Sequence, residues 1–290
     1  MPYAAGLAPT RQCGPGATVL WMQRFHDADL SGTEFEHVRL ANARFDRADL
    51  TGSRFRSVDI GDAEFRGSAF HQVRMRGVDL YDVDISGEIL NVTINGVDVA
   101  PLIEAELDRR DPERAKALRP SDPIGFREAW DINERRWLDT VERARRLPAD
   151  LLHESVEGEW SFIETLRHLA FATDCWIRRA IHGDPAPWHP LDLPWDEMPD
   201  TPGVPRDRAV RPSLDEALEL RRDRMRSVRE LLDGLTDELL AAQTTPVEGP
   251  GWPEPRSYPV RECLLTVLNE EYHHRLFAER DLAVLESRDA

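Results

Sequence analysis

Lysine is almost missing from this chain: of 37 basic residues only Lys116 is a lysine, a bias expected from a GC-rich genome. Cysteine is scarce too. Cys13, Cys175 and Cys263 are too few and too scattered for a disulfide framework or a thiolate zinc site, which needs close pairs, so ordinary reduced thiols are expected. No run approaches the roughly 18 apolar residues that a membrane span needs. The opening MPYAAGLAPTRQCGPGATVLW has no basic start followed by an apolar core, the pattern of a secretion signal. These absences predict a cytoplasmic protein with no membrane segment. Positive charge is in deficit, the net charge being −17. That excludes nonspecific nucleic-acid binding, which rests on basic residues and released counterions.

What is present divides in two, as 290 residues exceed the usual size of one core. From Phe25 to Leu90 a bulky apolar residue recurs at every fifth position, through Leu30, Phe35, Leu40, Phe45, Leu50, Phe55, Ile60, Phe65, Phe70, Met75, Leu80 and Ile85. Two residues before the centres stand small or β-branched residues such as Ala28, Thr33, Val38, Ala43, Ala48 and Val78; the register fails near Glu88. Neither helix nor strand has a period of five. The units ADLSG at 28–32 and ADLTG at 48–52 closely resemble the consensus of the pentapeptide-repeat family. The resemblance implies a right-handed quadrilateral β-helix with four pentads per coil and inward centres, each coil stabilised by its neighbours. Some long members of that family imitate DNA and bind gyrase; residues 23–99 hold 14 acidic and 9 basic side chains, a mild excess that favours a structural or docking role.

Beyond the repeat the period becomes helical. A charged stretch, Ile103 to Leu118, is broken at Asp111-Pro112 and reads as a cap for the last coil and a linker. Helix one starts at Asp122 and ends at Leu147-Pro148. Helix two opens on the Ser161-x-x-Glu164 capping box and stops at His182-Gly183-Asp184-Pro185. Helix three runs from Ser213 to about Gly234, and helix four from about Val260 to Leu285. The connection 184–212 is long enough to cross a bundle. The expected order is an N-terminal extension (1–22), a solenoid (23–100), a capping helix or linker (101–121) and an all-α up-down-down-up four-helix bundle (122–290).

On helix four, Glu270 and His274 interrupt an apolar stripe, and four residues apart they project from one face. A buried unpaired carboxylate is costly, so something must compensate it. His168 lies at the edge of the apolar face of helix two. Two imidazoles and a carboxylate are a common zinc donor set with an open fourth position. Equally, Glu-x-x-x-His on a helix is commonly a surface pair, and a core histidine is commonly just hydrogen-bonded.

The segments EWSFIETLRHLAF (159–171) and LLTVLNEEYHHRLFAERDLAVLE (264–286) resemble the metal-binding helices of the DinB-like superfamily, particularly its mycothiol-dependent maleylpyruvate isomerase and S-transferase branch. The resemblance implies that His168, Glu270 and His274 are metal ligands, with His273 flanking them. It implies zinc, with nickel, iron or cobalt accepted by the same donors, and mycothiol as thiol cosubstrate. Mycothiol is the small thiol of actinobacteria, in keeping with the shortage of lysine. The expected function is a metal-dependent transfer of this thiol to a small electrophilic metabolite or xenobiotic, with the solenoid as an appendage for a homodimer or a protein partner. A maleylpyruvate substrate is not implied, because those isomerases carry a further C-terminal domain contributing to the active site. The alternatives are a protein-interaction module and a hydrolase whose metal activates water. Trp188, Trp195 and Trp252 are candidates to close over the site, or to pack as ordinary core aromatics.

Overall fold

The computed structural model describes residues 25–289 apart from 39, 41, 46, 47 and 66. The expected N-terminal extension at 1–22, with Cys13, lies outside the described residues. The chain divides into two compact units at Asp82/Val83, ahead of the expected boundary at 100. Among the described residues no helix is long and apolar enough to cross a membrane.

The five-residue period is written into the backbone of the first unit. Every fifth residue from Asp27 to Asp82, position 47 aside, has φ between 49° and 77°, two places after a pentad centre. Most of these residues are Gly, Asp, Asn or His, the types that tolerate the left-handed region best. The Asp of each ADL unit braces its own turn. Asp29 Oδ1 accepts from the Ser31 amide at 2.9 Å, and Asp49 from Thr51 at 2.9 Å. Turns close behind them, with the Thr33 amide on the Leu30 carbonyl and the Ser53 amide on the Leu50 carbonyl. The inward-facing ladder expected of a closed coil is not seen among the described residues. Leu30 is 43% and Phe55 70% exposed, and the first described strands are β1 (Thr93–Ile94) and β2 (Val97–Asp98).

The second unit opens with the β1–β2 hairpin, whose turn residues Asn95 and Gly96 both have positive φ, the two-residue turn that suits strand twist. Helices α1 (Ala100–Arg110) and α2 (Arg114–Leu118) follow, separated at Asp111-Pro112 as expected. They are part of the bundle rather than a free linker. Ala117 packs with Ile132 and Tyr272, and Asp111 accepts from Arg136 at 2.7 Å and from the Tyr272 hydroxyl at 3.0 Å.

The four long helices are α3 (Pro123–Ala144), α4 (Phe162–Thr173), α5 (Leu214–Asp233) and α7 (Val260–Asp289); a short α6 (Asp237–Leu240) follows α5. α4 continues through Asp174–Ile181 in the wider π-helical winding. Pairings fix the directions. Trp137 donates to the Glu271 carbonyl and Arg143 pairs with Glu286, so α3 and α7 run parallel. Arg224 reaches Asp174 and Arg178 reaches Ser227, so α4 and α5 are parallel too. Arg127 on the Leu232 carbonyl and Arg145 on Asp215 set α3 against α5. The bundle is therefore up-down-down-up.

The α4 capping box forms as read: the Ser161 hydroxyl accepts the Glu164 amide at 3.3 Å and Glu164 accepts the Ser161 amide at 2.9 Å. Ser161→Ala is expected to lower the unfolding free energy by about 1 kcal/mol. Guanidinium titration checks it, as a lower midpoint at unchanged slope; an unchanged midpoint would count against the cap.

Candidate metal centre

α4 and α7 run antiparallel, and at mid-length each turns its chemistry-bearing residues to the other. His168 Nε2 lies 3.4 Å from Glu270 Oε2, and His274 Nε2 lies 3.0 Å from the same oxygen. One donor atom from each residue falls within 4.8 Å of the others. The three residues picked out on the sequence thus meet in space, and His273 stays outside the cluster with its ring edge against Tyr272 at 5.4 Å. His168 is almost buried, whereas the side chains of His274 and Glu270 keep 19% and 32% exposure, which leaves one side of the cluster open.

The second nitrogen of His168 decides how that cluster behaves. His168 Nδ1 is 3.0 Å from the Leu193 carbonyl. A carbonyl oxygen only accepts, so Nδ1 carries the proton and Nε2 of the neutral ring presents a lone pair. Burial pushes the His168 pKa down and keeps the ring neutral near pH 7. Burial alone would raise the Glu270 pKa, but His168 and His274, when they carry a proton on Nε2, outweigh it and hold the carboxyl well below the usual range. With Nε2 unprotonated, a lone pair faces a carboxylate oxygen at 3.4 Å, an arrangement suited to a cation between them, whether a proton or a metal. The donors fit zinc or a similar divalent ion, and the bond from Nδ1–H to a backbone carbonyl is the support a metal-ligating imidazole usually has.

The walls are aromatic. Trp160, the residue before the capping box, lies parallel to His274 at 5.6 Å between centroids and 4.3 Å from the His168 ring. Phe277 meets His274 edge-on at 5.9 Å. Beyond His168, Phe171 stacks on Trp188 at 5.6 Å, and Trp195 joins Phe171 to Trp252. All three loop tryptophans singled out on the sequence thus belong to one array with Phe171, Cys175 and Met198. Cys175 is no nucleophile there. Burial, together with the nearby Asp192, Asp174 and Glu270 charges, pushes its thiol well above the ordinary value, so it holds its proton.

A family model for the DinB superfamily matches residues 132–278, half of the chain and all three clustered residues. The chain belongs to the DinB superfamily. A family model for pentapeptide repeats, described as eight copies, matches at 24–62 and again at 48–87, so the DinB domain follows a pentapeptide-repeat region. No curated protein and no solved structure matches the chain. The DinB superfamily includes metal-dependent enzymes, and its domains are often metal-binding.

Sequence reading missed the supports of this DinB site. The Leu193 carbonyl has no side-chain signature at all. Trp160 had one in principle, since a large aromatic just outside an N-cap packs back over the first turns of its helix. Behind Glu270, Glu271 is paired with Arg221 at 2.7 Å, and both are almost completely buried. Arg221 also lies over the Trp137 ring at 5.8 Å. Charged letters on α5 and α7 look like solvent-facing residues until the helices are placed.

Proposed function

We propose that the DinB domain is a divalent-metal-dependent thiol S-transferase. His168, Glu270 and His274 hold the metal, zinc by preference with nickel, iron or cobalt as substitutes. The thiol is mycothiol and its acceptor a small electrophilic metabolite or xenobiotic. The observation that carries this reading is the bare His168 Nε2 facing the Glu270 carboxylate, within 4.8 Å of the His274 donor, on a side that remains open. A divalent metal held there lowers the pKa of a small thiol and keeps it as the nucleophilic thiolate.

The residues around the ligands support the same assignment. Leu193 fixes the His168 ring and Trp160 covers one face of His274, so the donors keep their orientation without a bound ion. Cys175 and Cys263 are buried, and burial pushes Cys263 up to about 11; neither supplies a thiolate, which favours an external thiol. The Phe171, Trp188, Trp195 and Trp252 array offers apolar surface to an electrophile and keeps water away from it. For the pentapeptide-repeat region the reading is a quadrilateral β-helix in which the centres from Phe25 to Leu90 would face inward, serving as a docking or oligomerisation appendage.

Calorimetric titration of mycothiol into zinc-loaded and metal-free protein tests the assignment. The expected result is one thiol site per chain that requires zinc, and consumption of an α,β-unsaturated carbonyl probe only when thiol and zinc are both present. Thiol binding indifferent to zinc would sink the transferase reading, and hydrolysis of ester probes with no thiol added would assign the site to water activation instead.

A further inference from the structure

The loop that supplies the Leu193 carbonyl is anchored at an unusual pair of acids. Asp174, the first residue of the π-wound segment, is completely buried, and its Oδ2 accepts from Arg224 Nη2 at 2.7 Å and Nε at 3.1 Å. Asp192 on the loop is completely buried as well, and its Oδ2 accepts the His189 amide at 2.7 Å. Each carboxyl keeps a second oxygen, Oδ1, that is sealed from water and accepts no hydrogen bond among the described residues, although Arg178 Nε lies 3.5 Å from that of Asp174. The two carboxyls are close enough to act on one another directly. One proton between them satisfies both oxygens, and an acid pair in such a site cannot stay doubly ionised. Arg224 neutralises Asp174, so the proton belongs to Asp192.

We propose that Asp192 is a positioning residue of the metal centre: it is built into the fold as a neutral carboxylic acid that donates to Asp174, and this bond holds the Leu193 carbonyl where it fixes His168 with Nε2 free. The loop is also held by arginines, Arg179 on the Pro185 carbonyl among them, but near Leu193 these anchors stop at residue 191. Arg167 Nε donates to the Leu191 carbonyl at 2.7 Å, and Arg224 reaches the Pro187 carbonyl at 3.4 Å. The charges around Asp192 are Asp174, Arg178 and Arg167 from the α4 side, Arg224 and Asp223 from α5, and His189 from its own loop; Cys175, protonated, lies beside it and Glu270 of α7 farther off. Burial, and next the Asp174 charge, push Asp192 up to about 8. The folded chain thus holds a proton that the unfolded chain releases above about pH 4. The contact is at full strength at low pH and is lost as pH rises through about 8.

This inference rests on reading His168 as a metal ligand, and the test separates the two. Imidazole nitrogen NMR on the full-length apo protein reads the His168 tautomer directly, the signal being assigned by its loss in His168→Asn. In the wild type the Nδ1–H form is expected at about pH 7 and a mixture of tautomers at about pH 9.5. Asp192→Asn, whose amide donates to Asp174 at any pH, keeps the Nδ1–H form throughout. A wild-type signal indifferent to pH, or an Asn variant that changes in step with the wild type, overturns the proposal; if the variant does not fold, the wild-type series alone decides. Zinc competition with a chelator adds a second readout, in which Asp192→Leu binds about tenfold more weakly than Asp192→Asn. Equal affinities for the two overturn the positioning role. Intact tautomer behaviour in a protein that binds no zinc upholds the clasp and sinks the metal reading.

Discussion

Arg221→Met is expected to lower the unfolding free energy by about 3–5 kcal/mol, because it strands the Glu271 carboxylate in the core. Arg221 Nη2 and Glu271 Oε2 are 2.7 Å apart and almost without solvent contact. The pair is also incompletely served: Arg221 Nη1 and Glu271 Oε1 have no partner among the described residues. Desolvation therefore takes back much of the attraction, and the pair is worth far less than the loss of either member suggests. Arg221→Met combined with Glu271→Leu should recover most of the stability. Chemical denaturation of the four forms of the cycle measures this. A double variant as unstable as the single would show that the cost comes from lost packing over Trp137 instead. Marginal total stabilities of about 5–15 kcal/mol make the single variant a severe one.

His274→Ala is expected to abolish stoichiometric zinc retention, with an affinity loss of more than roughly 100-fold. Groups that merely orient a ligand are worth about 10–100-fold, and His274 supplies a donor atom. Saturating zinc should raise the wild-type unfolding free energy by about 2.7 kcal/mol at a hundred times its dissociation constant, and chelator should remove that increment. Elemental analysis beside thermal unfolding, with and without zinc, reads both quantities. His273→Ala serves as the neighbour control and should retain the metal. Equal zinc content in wild type and His274→Ala would place any metal elsewhere in the chain.

Much of this was legible because local rules and tertiary structure agree. Ser161-x-x-Glu164 fixes the start of α4, and Ser213 with Glu216 does the same for α5. Pro148 and Gly234 mark helix ends. Glu270 and His274 stood out as polar residues inside an apolar stripe, and burial of His168 completes the set. Other features carry no local mark. Arg167, Arg179, Asp174 and Asp192 are charged types that usually seek solvent, yet all are buried: carbonyls of two long connections meet the arginines, Arg224 of α5 meets Asp174, and the His189 amide meets Asp192. The π-helical winding after Thr173 leaves the residue pattern helical and changes only the register. In the repeat, the period dictated the left-handed positions, while closure of a coil depends on its neighbours and on no single pentad.

Two of those buried arginines have a bearing on speed. Arg167 donates to the carbonyls of Leu191, Asp207 and Val210, and Arg179 to those of Pro185, Val247 and Gly249. Both connections that carry the loop tryptophans are thereby fastened to α4, the helix that bears His168. Tied in this way, both connections are expected to move with α4 as one body, without a backbone segment that must swing aside. Admission of a small molecule is left to rotation of half-buried side chains such as Trp160 and Trp252, whose motions are far faster than the microsecond-to-millisecond swing of a loop. Binding at this site should accordingly proceed in a single kinetic phase, its rate rising linearly with ligand concentration and not levelling off at the frequency of a gate.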